Sequence, residues 1–189
     1  MRKRRTVRPK RLAEPGPNAD QLARIVGAAA NAPDHGELTP WRFILVDDPM
    51  RHGLGQALSR AVVERDPTAT EAQQVMAQEK GLRAPVLLAA ICRKPTDGHS
   101  EIPWEERVLS LGCAIQNMLL VATAIGFDSA LTTGRAMASQ ALREFLQLGI
   151  DEQSLCFINI GSATRQPADK QRPDLSKFFS ILGNLTCGT

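Results

Sequence analysis

Two groups of residues near the N-terminus have the types and spacing of a binding site. Arg4, Arg5 and Thr6 set two guanidinium groups beside a hydroxyl. Such a trio suits a phosphate, because each guanidinium forks N–H donors onto two oxygens and the hydroxyl adds another. A solvated basic arm, or a nucleic-acid contact, uses the same residue types, but the segment has no aromatic side chain to stack on bases. The stretch NAPDHGELTPWRF, residues 31–43, holds the second group. Asn31 and His35 stand four residues apart at the end of an expected helix, a spacing that lets both face one ligand. Asp34 suits a turn fixed through backbone amides, Gly36 permits a backbone that other residues resist, and Trp41 supplies an apolar wall. A structured turn carrying a surface histidine is the plainer alternative.

Two further segments carry polar groups. Thr132, Thr133 and Gly134 offer two hydroxyls and a permissive backbone where GFDSALTTG leaves the core. In KQRPD, Lys170 and Arg172 either reach a phosphate or belong to a solvated tail. Other chemistries lack their residues. His35, His52 and His99 are isolated and no Cys/His pair has ligand spacing, which argues against a zinc site. G-x-S-x-G and Walker A are absent, and Gly53 and Gly55 lie inside a helical pattern instead of following a strand. Demanding chemistry here belongs to a bound cofactor.

These residues need elements to position them. Asn18 with Gln21 forms a capping-box start, and Leu22, Ile25, Val26 and Ala29 recur at helical spacing up to about Ala32. RFILVD reads as an interior strand. Asp48-Pro49 reads as a cap with proline at the first helical position, followed by Leu54, Leu58 and Val62. A helix over roughly 70–80 leads to the apolar strand APVLLAAICR, and a long helix spans about 104–125. FDSALTTG is a short strand or extended loop, Ser139 caps a helix ending at Gly149, and SLCFINIG is the last strong strand. The polar tail holds a possible short helix in DLSKFFSIL. Mixed helices and strands with one long central helix indicate α+β or α/β. That helix is apolar nearly all round, so a partner subunit is the economical way to cover it.

Composition narrows the setting. The 189 residues fit one domain, with 43% hydrophobic and 23% charged residues, as in a globular protein. Net charge is only +3, and seven of the 23 basic residues sit in residues 1–11, so a globally basic nucleic-acid coat is disfavoured. Cys92, Cys113 and Cys156 have mostly apolar surroundings, which suits reduced, buried thiols in a reducing compartment, and Cys187 sits in a polar tail. No apolar run follows the basic start, so the reading is cytoplasmic. The uncharged stretch 108–127 has the length of a membrane span, yet Ser110, Gln116, Asn117 and Thr123 within it favour a buried core helix.

Taken in order, the pieces resemble the nitroreductase family of FMN-dependent oxidoreductases, in its small YdjA-like branch. Arg4-Arg5-Thr6 is similar to an Arg-Arg-Ser motif, and LAEPGP to an L-x-E-P-x-P segment. Ala32-Pro33-Asp34-His35 with Pro40-Trp41-Arg42-Phe43 matches an A-P-D-H…P-W-x-F block. Arg83-Ala84-Pro85 stands before an apolar strand, and Gly112-Cys113 and Gly126-Phe127 mark the long helix and its end.

The resemblance implies an α+β nitroreductase-like fold over residues 1–189: a central mixed sheet flanked by helices, with a long buried helix at a dimer interface. It implies a homodimer with FMN held by Arg4, Arg5, Thr6, Asn31, His35, Leu131, Thr132 and Thr133. It places NAD(P)H at Val121, Ala122, Thr123, Ala124, Ile125 and Gly126. Hydride would pass from NAD(P)H through flavin N5 to a small-molecule acceptor such as a nitroaromatic or quinone, with no catalytic side chain, no nucleic acid and no membrane. A flavin carrier or sensor with little turnover is the alternative. Many relatives have Trp-Arg-Ser-Gly where this chain has Leu131-Thr132-Thr133-Gly134, which removes a fixed positive charge.

Overall fold

The apolar runs decide the architecture. In a computed structural model describing residues 3–96, 98, 101–165 and 171–182, five strands form one sheet with helices on both faces. The strands are β1 (Leu12–Ala13), β2 (Trp41–Leu45), β3 (Val86–Arg93), β4 (Asp128–Thr132) and β5 (Glu152–Ala163). The helices are α1 (Ala19–Gly27), α2 (Arg51–Arg65), α3 (Glu71–Gln78), α4 (Trp104–Ala124) and α5 (Gln140–Phe145). The long β5 pairs with β3, β4 and β1, and β3 pairs with β2. Among the described residues all four ladders are antiparallel, and parallel pairing enters only at a bridge between Thr6 and Ser129.

β3 is buried on both faces apart from Arg93, as its unbroken apolar sequence requires. Its alternation divides the core. Val86, Leu88, Ala90 and Cys92 pack with Ile25, Leu111, Met118 and other residues of α1 and α4. Leu87, Ala89 and Ile91 pack with Leu54, Leu58, Ala77 and Leu142 of α2, α3 and α5. One face of the sheet therefore carries α1 and α4, the other α2, α3 and α5.

Helix boundaries follow side-chain caps. Asn18 and Gln21 exchange backbone-to-side-chain hydrogen bonds of 2.9 Å each, the expected capping box. Ahead of α2 the cap lies one residue earlier than expected: Asp47 accepts the amide of Asp48, and a 3₁₀ turn over Asp48–Met50 leads into the helix. Gly55 and Gly81 are space requirements, because a Cβ on Gly81 would lie 2.6 Å from the amide nitrogen of Gly55. Ser139 caps α5 by accepting the amide of Leu142, but the helix stops at Phe145 and not Gly149, since Gln147 turns to φ 50°. The tail segment is a 3₁₀ turn over Leu175–Lys177.

The expected burial of α4 is met on one side within a single chain. Leu111, Ala114, Ile115, Met118, Leu119 and Ala122 enter the core, whereas Gly112, Cys113 and Gln116 are exposed and Leu109 is 68% exposed. By length and composition α4 could cross a membrane, with mean hydropathy 1.4, but its inner face is core.

Candidate functional site

β4 and the segment beside it bring together part of the implied set. Val7 donates its amide to the carbonyl of Ser129 at 3.0 Å, and the bridge at Thr6 fixes a parallel direction. The chain thus leaves Thr6 in the direction of β4, and Pro9 lines one cavity with Thr132 and Thr133 at the strand's far end. Thr6 and Thr132 are separated by three residues of strand, about 10 Å at ~3.3 Å per residue.

At that far end lies a cavity of about 270 Å³ on the α2–α3–α5 face. Leu58, Val62, Ala77, Leu87 and Phe157 make its apolar floor, while Arg65, Lys80, Arg83 and Arg135 stand around it. Thr132, paired with Phe157, shares the cavity face with Ala130 and Asn159. The buried Asn159 amide donates to the Thr132 hydroxyl at 3.1 Å and to the carbonyl of Ala130 at 3.4 Å. Thr133 donates its hydroxyl to the carbonyl of Leu155 at 3.0 Å. Leu131, the intervening residue, pairs with Ile158 and so faces the α4 side, 44% exposed.

Asn31 and His35 stand elsewhere. His35 Nδ1 lies 2.6 Å from Glu106 Oε2 in the first turn of α4, both side chains exposed. Asn31 donates to the carbonyl of Ala28 at 3.4 Å and lines a shallow groove with Leu109, Gly112 and Cys113 of α4. The turn between them is built as its residues suggest: Asp34 accepts the amide of Thr39 at 2.6 Å, and Gly36 takes φ 71°. Trp41 donates its indole N–H to Ser110 Oγ at 3.0 Å and walls a separate pocket beside Ala29 and Thr39. Within one chain the sheet separates Asn31 and His35 from the cavity that Thr132 and Thr133 line.

The remaining positions divide the same way. Arg172 donates to the carbonyl of Arg4 at 2.9 Å, joining the tail to the basic start, while Lys170 lies outside the described residues, as do His99 and Cys187. In the 121–126 stretch, Ala124 and Gly126 are exposed and Val121, Thr123 and Ile125 half-buried. The side chain of Ala122 faces the core and is fully buried, closed to any co-substrate. Thr123 donates its hydroxyl to the carbonyl of Leu119 at 2.9 Å.

Arg65, Lys80 and Arg135 escaped the sequence reading because they come from separate elements and share no motif. Arg83 was marked only as the start of Arg83-Ala84-Pro85. Burial pushes the thiols of Cys92 and Cys156 up to about 11, so neither is a thiolate nucleophile at neutral pH.

The sequence profile of the Nitroreductase family matches residues 1–162. The chain is 36% identical over 171 residues to "Putative NAD(P)H nitroreductase" of Haemophilus influenzae, covering 90% of this chain and 91% of that protein. It is 30% identical over 155 residues to the namesake YdjA of Escherichia coli strain K12, covering 80% and 81%. The crystal structure of the FMN and NADPH-dependent nitroreductase NfnB from sphigopyxis sp. strain HMH superposes with a TM-score of 0.73. That match spans 96% of each chain at 21% identity, a likeness of fold. With its profile matched over most of its length and its antiparallel α+β fold shared, the chain belongs to the Nitroreductase family.

Proposed function

We infer that the protein is an NAD(P)H-dependent flavin oxidoreductase whose 189 residues work as one unit, with FMN as its cofactor. The observation that carries this reading is the direction of the chain from Thr6 along β4, which leads from a basic pair to a hydroxyl-lined cavity. FMN joins a phosphate to a flat aromatic ring through a ribityl chain, and the donor set fits that shape. Arg4, Arg5 and Thr6 would hold the phosphate, with Arg172 tied beside them. Thr132, Thr133 and Lys80 would meet the polar edge of the ring over the apolar floor.

When bound, FMN supplies two-electron hydride chemistry between NAD(P)H and an aromatic acceptor such as a nitro compound or quinone. The chain's own residues bind, orient and exclude water. Leu58, Val62 and Phe157 keep the floor dry, and the Asn159–Thr132–Ala130 bonds hold the end of β4 in register. The relatives' names support NAD(P)H as donor, and the exposed end of α4 at Ala124 and Gly126 offers it a docking edge.

Within one chain Asn31 and His35 stay apart from this cavity, so a cofactor role for them would need a second copy. The exposed stripe of α4, with Leu109, Gly112 and Cys113 beside Asn31, is the surface on which two chains would meet. The working form is then a homodimer with two shared sites.

The absorbance spectrum of the purified protein tests the reading. A flavin spectrum that bleaches on anaerobic titration with NADH or NADPH is expected. A colourless protein that takes up no added FMN would overturn it. Bound flavin that neither nicotinamide reduces would make the protein a carrier or sensor instead.

A further inference from the structure

Arg51, the first residue of α2, is a cation only 5% exposed. Its Nη2 donates to the carbonyls of Arg83 and Ala84 at 2.6 and 2.5 Å, while Nη1 is buried and makes no hydrogen bond among the described residues. Burial works against its charge, and the charge of Asp48 works for it. A buried cation with an idle N–H group is costly, so its use to the chain lies in the two carbonyls it holds. Those carbonyls belong to a strained turn. Ala84 takes φ 61°, a left-handed backbone that an alanine adopts only at a cost. The kink parts its neighbours. Lys80 and Arg83 line the cavity at the end of β4, whereas Leu82, Ala84 and Pro85 line a separate hollow with Arg51 and His52. We propose that Arg51 is a positioning residue: by gripping the carbonyls of Arg83 and Ala84 it fixes the turn that sets Lys80 and Arg83 at the cavity, and through them the hold on the cofactor.

The packing around the turn shows what the grip adds. A Cβ on Gly81 would lie 2.6 Å from the amide nitrogen of Gly55 and 2.8 Å from the carbonyl oxygen of Arg51, so the start of α2 seats residues 79–82 by close contact. The Arg51 side chain acts further on, at the strained residue and just ahead of Pro85, whose ring restricts the backbone of Ala84. Both bonds are charge-assisted and use the two hydrogens of one nitrogen, which holds the two carbonyls together. The amide of Arg83 donates to the carbonyl of Lys80 at 3.5 Å, so the two cavity cations belong to one turn. Released, Ala84 relaxes to a negative φ and Arg83 swings from the cavity, while the floor of Leu58, Val62 and Phe157 stays in place. The proposal rests on the flavin reading above for what Lys80 and Arg83 meet.

The test compares the wild type with Arg51→Met, which keeps an unbranched side chain and removes its donors. In the flavin-free protein, hydrogen exchange over residues 79–84 is expected to quicken about tenfold in the variant, with exchange in α4 unchanged. FMN is expected to dissociate about tenfold more readily, the worth of one charge-assisted contact. The midpoint potential of the bound FMN is expected to shift negative as the cations withdraw, a change that lower stability alone does not produce. Adding Ala84→Gly relieves the positive φ, so the double variant should recover FMN affinity to within about threefold of the wild type. Should Arg51→Met fail to fold, Arg51→Lys carries the same comparison, because its shorter side chain keeps the charge and falls short of the two carbonyls. Unchanged exchange in the turn would overturn the proposal. So would a loss of FMN that Ala84→Gly fails to rescue, or one that only tracks a fall in urea stability. A wild type that takes up no FMN would sink the flavin reading alone, because exchange in the flavin-free protein still decides whether Arg51 holds the turn.

Discussion

The two faces of the sheet are held and used in different ways. On the α1–α4 face Ile25, Leu111, Ile115 and Met118 close on the even-numbered residues of β3. Polar bonds gather there in the first turns of α4, where Ser110 accepts from Trp41 and the buried Arg107 donates to the carbonyl of Ile102. On the α2–α3–α5 face an apolar core of Leu54, Leu58, Ala77 and Leu142 is flanked by polar and charged bonds between helices and between strands. Glu64 accepts the amides of Gln140 and Ala141 at the start of α5, and Glu152 takes a two-pronged bond from Arg42 at 2.6 and 2.8 Å. Arg143 donates to the carbonyls of Glu152 and Gly149, both at 2.7 Å. The apolar face ends in an open stripe on α4, and the tied face ends in a cavity. Under the proposed function the first face would meet a second chain and the second would keep a hollow for small molecules.

The largest effect should come from charging the α4 stripe. Leu109→Arg would bury an unpaired cation if two chains meet there, opposing association by about 3–5 kcal/mol. Ultracentrifugation should show a monomer, and ultrafiltration should show FMN lost with it. A variant that stays dimeric, or a monomer that keeps FMN at the original affinity, would break the division of roles between the faces.

The tied face should respond next, and to acid. The hydrogen bonds from Arg42 hold the Glu152 carboxyl below its ordinary range. A carboxylate with a lowered folded pKa contributes stability that is fully present above its unfolded value, about 4.3, and is lost as pH falls through the folded value. Arg42 is 41% exposed, which screens the pair, so Glu152→Gln should cost about 2 kcal/mol at neutral pH, between an exposed and a buried pair. Thermal unfolding from pH 7 down to 3 should show the wild type losing stability below about pH 4.3, with a shallower fall in the variant. Parallel curves would remove Glu152 from the acid response.

How much of this was legible in the sequence follows from where the information lies. Capping pairs and apolar runs announced α1, β3, α4 and β5, because both signals are local: Asn18 finds Gln21 three residues on. Arg4 to Thr6 and Thr132 to Thr133 were also legible, as clusters of donors within a few residues. Their placement along one strand was not, since the parallel bridge at Thr6 spans more than a hundred residues. The four cations of the cavity were illegible for the same reason. Leu131 shows a different limit. It reads as one unit with Thr132 and Thr133, but strand alternation sends it to the opposite face. No signal along the chain tells that Asn31 and His35 lie on one side of the sheet and the cavity on the other.

His35→Ala sharpens the contrast from the α4 side. Its imidazole is exposed and bound to Glu106, so the folded chain depends little on it. If it meets the cofactor of a second copy, FMN should dissociate about tenfold more readily, the worth of one good hydrogen bond. Equilibrium dialysis against FMN measures this, with unfolding in urea as the control for the fold. Full FMN occupancy at the original affinity would return the turn over residues 31–43 to a structural role.

The smallest expected effect lies on the cavity side. Thr132→Val keeps the branched shape and removes the acceptor of the Asn159 bond, leaving that buried amide with only the 3.4 Å contact to the carbonyl of Ala130. Folding stability in urea should drop by about 0.5–1 kcal/mol, and Thr132→Ser should restore most of it. FMN affinity should change less than in His35→Ala if the hydroxyl is already engaged by Asn159 and mainly sets the register of β4. A stability loss with unaltered FMN binding would make Thr132 a positioning residue and leave the ring edge to Thr133 and Lys80. A large loss of FMN at unaltered stability would make its hydroxyl a direct contact, and the cavity face, more than the second chain, would then be the main hold on the cofactor.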